Sequence, residues 1–254
     1  MIQFQNVFYS AGKTPVLAGL SLHIVSGETL VLLGRSGSGK TTALRMVNAM
    51  QIPSAGAVMV DGVDTREWPS VELRRKIGYV IQEVGLFPHR TVAENVGTVP
   101  RLLGWDLLRI EKRVDALLEE VGLAPEDFRA RYPRSLSGGQ RQRVGVARAL
   151  AAEPRILLFD EPFGALDPIT RREMQDLFLA VRKRHEVASL FVTHDISEAL
   201  RLGSRIGLLV NGRLETIGSR DHFLRAESPD VRQFLEAFPG IEILGSDATD
   251  GGVA

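Results

Sequence analysis

Gly34-Arg35-Ser36-Gly37-Ser38-Gly39-Lys40-Thr41 decides the fold. The stretch matches the phosphate-binding loop G-x-x-x-x-G-K-[ST], which works only between a strand and a helix. Both flanks are legible. Glu28 to Leu33 is a compact apolar run leading into the glycines, and Thr41 to Met50 carries Leu44 and Val47 at helical spacing. Glycines let consecutive N–H groups turn inward onto phosphate oxygens, and the helix N-terminus adds partial positive charge. Gly34, Arg35, Ser36, Gly37, Ser38 and Gly39 are thus the expected cradle. Lys40 is expected to reach the β- and γ-phosphates, Thr41 to offer its hydroxyl to Mg²⁺, and Thr42 to contact the α-phosphate.

Towards the amino end, Ile2 to Val25 shows short alternating runs broken by Gly12, Pro15 and Gly19, which read as antiparallel strands and turns. Ser54 to Asp61, with Val58 and Val60 beside Asp61-Gly62, is expected to rejoin that β region. Ile77 to Gln82 reads as a buried strand. The pattern then changes. Ile110, Val114, Leu117, Leu118 and Val121 share one helical face closed by Gly122. Ser137 opens a second helix carrying Val144, Ala147 and Ala151, and Pro154 marks its end. A helical insert over about residues 84–152 follows from these. Ile156 to Phe159 and Leu190 to Val192 are continuous apolar runs, as parallel strands covered on both faces require, with helix-like segments between. No internal repeat is found, and residues 241–254 are expected to be a disordered tail. The fold class is α/β, with an N-terminal antiparallel β subdomain and an inserted helical subdomain.

Bulk properties narrow the function classes. The 254 residues are 44% hydrophobic and 24% charged, an ordinary globular balance. Thirty-one basic residues cancel 31 acidic ones, so there is no global positive field to recruit nucleic acid or anionic lipid. The absence of cysteine excludes disulfides and thiolate metal sites. With no signal-peptide pattern, a reducing, cytoplasmic setting is expected. Apolar stretches such as Thr29 to Gly34 fall far short of the roughly 20 residues that span a bilayer.

A second signal is Ile156-Leu157-Leu158-Phe159-Asp160-Glu161, a buried strand ending in two carboxylates. Adjacent acids are costly to crowd unless a cation or a reacting water uses them. Asp160 suits Mg²⁺ through water, which leaves Glu161 to polarise the attacking water as general base. Leu136-Ser137-Gly138-Gly139-Gln140 is a serine-capped, glycine-rich helix start, another anion-binding arrangement that taken alone reads better as a cap without a ligand. His194, in Thr193-His194-Asp195 after a strand, reads alone as a loop or core histidine. Gln82 and Tyr9 are unspecific in isolation.

Taken in order, the loop at 34–41, Gln82, the helical insert, residues 136–140, the acidic strand end, Leu166-Asp167 and His194 resemble ATP-binding-cassette (ABC) ATPases over about residues 2–240. The resemblance implies a P-loop fold of the ABC type, ATP and Mg²⁺ as cofactors, and a homodimer closed head to tail by ATP. It implies two transmembrane permease subunits, indirectly a substrate-binding protein, no nucleic acid partner, and a peripheral place on the cytoplasmic face of the inner membrane. Tyr9 resembles the aromatic that stacks on adenine, with Phe8 as its substitute. Gln82 resembles the glutamine that senses Mg²⁺ and the nucleophilic water. Ser137, Gly138, Gly139 and Gln140 look like the signature that binds the γ-phosphate held by the other protomer. Asp167 resembles the residue linking the two sites across the dimer, and His194 the switch histidine at the γ-phosphate.

Finer stretches resemble one branch of the family. Val71 to Gln82, Gly85-Leu86-Phe87-Pro88-His89 and Pro162 to Arg171 look like importers of glycine betaine, carnitine, choline or proline. Many members of that branch carry a paired regulatory module, and this chain, ending at Ala254, is expected to act without one. Two alternatives stay open: an importer of another small polar solute, because the ATPase does not touch cargo, and a non-transport ABC ATPase.

Overall fold

Continuous apolar strands need a packed layer on each face. The computed structural model describes residues 1–82 and 84–236, and the tail expected at 241–254 lies outside them. The strands are β1 (Ile2–Ala11), β2 (Thr14–Ile24), β3 (Thr29–Leu33), β4 (Ala55–Val60), β5 (Val63–Asp64), β6 (Ile77–Ile81), β7 (Ile156–Asp160), β8 (Ala188–Thr193), β9 (Arg205–Val210) and β10 (Arg213–Gly218). The helices are α1 (Lys40–Val47), α2 (Ser70–Arg75), α3 (Val92–Val96), α4 (Thr98–Leu102), α5 (Leu107–Glu120), α6 (Pro125–Phe128), α7 (Gly138–Leu150), α8 (Pro168–His185), α9 (Ile196–Leu202), α10 (Arg220–Leu224) and α11 (Pro229–Glu236).

The strands form two sheets. One is four-stranded and antiparallel, ordered β2-β1-β4-β5. The other is six-stranded, ordered β10-β9-β3-β8-β7-β6, and parallel except for the edge strand β10. Alternation along the central strands sends side chains to two cores. Leu30, Leu32, Leu158, Leu190 and Val192 pack with α1 and with Phe4, Leu17 and Val58 of the antiparallel sheet. Val31, Leu33, Leu157, Phe159 and Phe191 pack with α7, α8 and α9 on the opposite face. There Phe159, Phe163, Phe178 and Phe191 form a ring cluster with neighbouring centroids 4.9 to 5.6 Å apart.

Strand β1 changes its buried face midway. Ile2 and Phe4 are buried, then Val7, and Tyr9 packs behind it. Asn6 sits at φ 48° where the register against β2 and β4 shifts, so a bulge moves the inward set from even to odd positions. Residues 205–218, which the sequence pattern does not mark as strands, form a hairpin that turns at Asn211 (φ 46°) and Gly212 (φ 76°).

Between β6 and β7 run α3 to α7. Helix α5 starts on Asp106, whose side chain accepts the Arg109 N–H at 2.9 Å, and buries Ile110, Val114, Leu117 and Leu118. Gly122, at φ 72°, follows its end. Helix α3 opens with a reciprocal cap: Thr91 Oγ1 accepts the Glu94 N–H, and the Glu94 carboxylate accepts the Thr91 N–H. Thr91→Ala is expected to lower global stability by about 1 kcal/mol, read as a shifted urea midpoint. An unchanged midpoint would mean that the cap frays without consequence.

Candidate functional site

Strand register brings four segments to one place. Leu33 lies opposite Thr193, Asp160 opposite Val192, and Ile81 opposite Asp160. Gly34, His194, Glu161 and Gln82 are therefore each the first residue beyond the carboxyl end of four neighbouring strands, where open α/β sheets place their ligands.

The loop from Gly34 to Gly39 joins β3 to α1. Gly39 has φ 104°, and a Cβ there would lie 2.8 Å from the Val16 carbonyl oxygen. A Cβ on Gly34 would lie 2.5 Å from the Leu209 carbonyl oxygen. Only glycine fits either position. Arg35, Ser36 and Gly37 are exposed, whereas Ser38 is buried and its hydroxyl has no hydrogen-bond partner. No side chain caps α1, so its first N–H groups stay open towards an anion. Lys40 is 4% exposed, and its ammonium donates to the carbonyls of Gly34 (2.8 Å) and Arg35 (3.0 Å). Burial pushes its pKa down, while Glu161 and Asp160 act to raise it. A buried cation, open helix amides and an unpartnered hydroxyl fit a phosphate chain. Thr41 and Thr42 are half-buried in the first turn of the helix.

Thr41 Oγ1 donates to Asp160 Oδ1 at 2.7 Å, and the Tyr79 hydroxyl donates to Asp160 Oδ2 at 3.1 Å. Arg45 stands 4.0 Å from Oδ2. Among the described residues no cluster of three or more histidine or acidic side chains builds a protein-only metal cage. Thr41 and Asp160 are instead a hard-oxygen pair beside a phosphate cradle, which fits Mg²⁺ shared between protein, water and phosphate. Glu161 holds a left-handed φ of 46°, costly for a residue with a Cβ, and the sheet pins it: its N–H donates to the Val192 carbonyl at 3.0 Å. Its carboxylate lies 3.0 Å from His194 Nδ1 and 3.8 Å from Lys40 Nζ. A carboxylate, a buried ammonium and an exposed imidazole thus converge at the mouth of the loop.

The remaining candidates lie around this centre. Gln82 is exposed and borders a cleft of about 420 Å³ with Gly138, Arg141, Gln142, Pro162 and Leu166. Ser137 and Gln140 cap α7 reciprocally: Ser137 Oγ accepts the Gln140 N–H at 3.2 Å, and Gln140 Oε1 accepts the Ser137 N–H at 3.0 Å. Gly139 packs against Thr170. Among the described residues no hydrogen bond or ion pair joins 136–140 to the phosphate loop of its own chain. Asp167 caps α8 through the N–H groups of Ile169 and Thr170, and the Thr170 hydrogen bonds hold its carboxyl below the usual range. Tyr9 is tied into packing rather than standing free. It lies against the core with its hydroxyl bonded to the Gln51 amide, whereas Phe8, 40% exposed, faces away.

Sequence reasoning missed two partners of the site. Tyr79 is one: a tyrosine inside an apolar strand needs a partner for its hydroxyl, and that need is the signal the sequence carries for it. Glu198, 3% exposed, accepts the Thr193 hydroxyl at 2.6 Å, and Thr193 Oγ1 accepts the Asp195 N–H at 3.0 Å. The pair braces the turn that carries His194.

A family model described as ABC transporter matches residues 17–164. Over 245 residues the chain is 44% identical to the osmoprotectant import ATP-binding protein OsmV of Salmonella typhimurium, covering 94% of this chain and 63% of that protein. Over 236 residues it is 45% identical to the glycine betaine uptake system ATP-binding protein YehX of Escherichia coli, covering 92% of this chain and 76% of that protein. The chain therefore spans less than two thirds of the length of OsmV. The dimeric structure of a post-hydrolysis state of the ATP-binding cassette MJ0796, bound to ADP and Pi, matches with a TM-score of 0.76 at 35% identity, covering 87% of this chain and 99% of that one. The fold is that of an ABC ATPase cassette, and the chain belongs to the ABC transporter family.

Proposed function

We propose that this chain is the ATP-hydrolysing subunit of an ABC importer that energises uptake of an osmoprotectant such as glycine betaine, choline, carnitine or proline. The observation that carries the ATPase reading is the convergence of buried Lys40, the Thr41–Asp160 pair, Glu161 and His194 at the carboxyl edge of one sheet. Open amides and Lys40 hold the phosphates, and Thr41 with Asp160 holds the Mg²⁺, which neutralises phosphate charge. Glu161 accepts a proton from water as the water oxygen bonds to the γ-phosphorus and the bond to the leaving ADP oxygen breaks, giving ADP and inorganic phosphate. His194, held against Glu161, contacts the γ-phosphate. Gln82, at the end of the adjacent strand, senses Mg²⁺ and the attacking water, and Asp167 links the two sites. Among the described residues Ser137 to Gln140 make no hydrogen bond or ion pair with the phosphate loop of their own chain, which supports assigning Ser137, Gly138 and Gly139 to the site of a second copy closed by ATP. We place the chain at the cytoplasmic face of the membrane beside two permease subunits fed by a substrate-binding protein. Among the described residues no helix is long and apolar enough to cross a bilayer.

The cargo reading is supported by the likeness to OsmV, an osmoprotectant import protein, and to YehX, of a glycine betaine uptake system. Mg²⁺-dependent ATP turnover by the purified chain is expected to fall at least about a hundredfold in Lys40→Ala, the loss of a positioned charge at the transferring phosphoryl group. Cells lacking the subunit are expected to lose uptake of labelled glycine betaine, choline, carnitine or proline. Turnover that survives Lys40→Ala would remove the site. Normal uptake of all four solutes in a strain without redundant transporters would remove the cargo and spare the ATPase.

A further inference from the structure

The two oxygens of the Asp160 carboxylate keep different company. Oδ1 accepts the Thr41 hydroxyl at 2.7 Å, on the side of the phosphate loop. Oδ2 is turned away and accepts the Tyr79 hydroxyl at 3.1 Å. Tyr79 comes from the neighbouring strand β6, two residues before Ile81, the register partner of Asp160, so the two side chains are a diagonal pair on one face of the sheet. A phenol is protonated at neutral pH, so the Tyr79 hydroxyl is the donor of this pair. A hydroxyl donating to a carboxylate is charge-assisted and directional, and it fixes the plane of the acceptor. Arg45, 4.0 Å from Oδ2 and half exposed, is beyond hydrogen-bond distance and does not replace it.

We propose that Tyr79 is a positioning residue: by occupying Oδ2 it aims Oδ1 of Asp160 at the Mg²⁺ that accompanies the nucleotide. This rests on the nucleotide reading given above. Partners one step behind a metal ligand set its orientation, and removing one typically costs about 10–100-fold in metal affinity. Tyr79 lies inside the Val71 to Gln82 stretch that resembles the importer branch, but the resemblance gives it no role, and the role argued here follows from its hydrogen bond to Asp160.

The test is Tyr79→Phe, which keeps the ring and its packing and removes only the hydroxyl. A fluorescent ATP analogue is titrated in EDTA and then with rising Mg²⁺, and free Mn²⁺ is counted by electron paramagnetic resonance in a parallel series. In EDTA the variant is expected to bind nucleotide within about twofold of wild type, while its half-maximal Mg²⁺ or Mn²⁺ concentration rises about tenfold. Equal metal dependence in variant and wild type would overturn the proposal. Equally weakened binding in EDTA, or a lower melting temperature without nucleotide, would assign Tyr79 to packing and overturn it as well. If wild type binds nucleotide but Mg²⁺ has no effect on that binding, the positioning role fails alone. If wild type binds no nucleotide at all, the reading beneath it fails too.

Discussion

Glu161→Gln is expected to bind ATP with near-normal affinity and to hydrolyse it at least about a hundredfold more slowly, the effect of losing a positioned general base. The substitution is clean on structural grounds. Glutamine carries the same left-handed cost as glutamate at φ 46°, and the backbone bond to Val192 stays. What changes is the capacity to take a proton. The carboxylate is also 3.8 Å from Lys40, so its removal leaves the ammonium more available to phosphate, and the variant should not bind ATP less well. Equilibrium binding and single-turnover hydrolysis on the same preparation separate the two effects. Turnover within a few-fold of wild type would take Glu161 out of the chemistry.

Glu198→Gln is expected to flatten the dependence of stability on pH. Burial is the main cause that pushes the Glu198 carboxyl from an ordinary value near 4.5 up to about 7; the Thr193 hydrogen bond opposes it, and neighbouring Asp195 adds to it. Arg171 and His194 face it with opposing sign. The folded state therefore favours the protonated form. The contribution to stability is complete below about pH 4.5 and is lost as the pH rises through about 7, reaching about 3 kcal/mol. Glutamine is neutral throughout and still accepts the Thr193 hydroxyl. Urea unfolding at pH 5 and at pH 8 should show a smaller difference between the two values for the variant than for wild type. Parallel profiles would show that the buried carboxyl does not titrate in this range. The comparison between pH values also cancels any constant cost of housing the extra amide hydrogens.

The centre of the fold was legible because its chemistry is local. The loop at 34–41 needs its glycines in fixed places, and strands buried on both faces leave unbroken apolar runs such as Ile156 to Phe159. Residues whose roles depend on distant partners were not legible. Tyr79 meets Asp160 across 81 positions, and nothing in either neighbourhood announces the other. Glu198 looks like an ordinary helix acid until its burial is seen. The choice between Phe8 and Tyr9 was beyond reading for a different reason: a single bulged residue, Asn6, reverses which parity faces inward. The hairpin at 205–218 carried its own signal in Asn211-Gly212, but β10 is polar and half-exposed and so lacks the apolar run that marks the other strands.

The strand order also fixes when the site comes into being during synthesis. Strand β3, which feeds the phosphate loop, is flanked by β8 and β9, both encoded more than 150 residues later. While the chain is emerging from the ribosome, residues 29–33 have neither neighbour, and two rows of unpaired backbone groups stand open beside one of the most apolar stretches of the protein. Pairing at that separation is slow, because the intervening loop must close before the contacts return anything. Nucleotide therefore cannot template the early folding of this chain; it meets a finished cradle only after β9 has left the exit tunnel. Until then Leu30 and Leu32 of β3 have only the earlier-made antiparallel sheet and α1 to pack against.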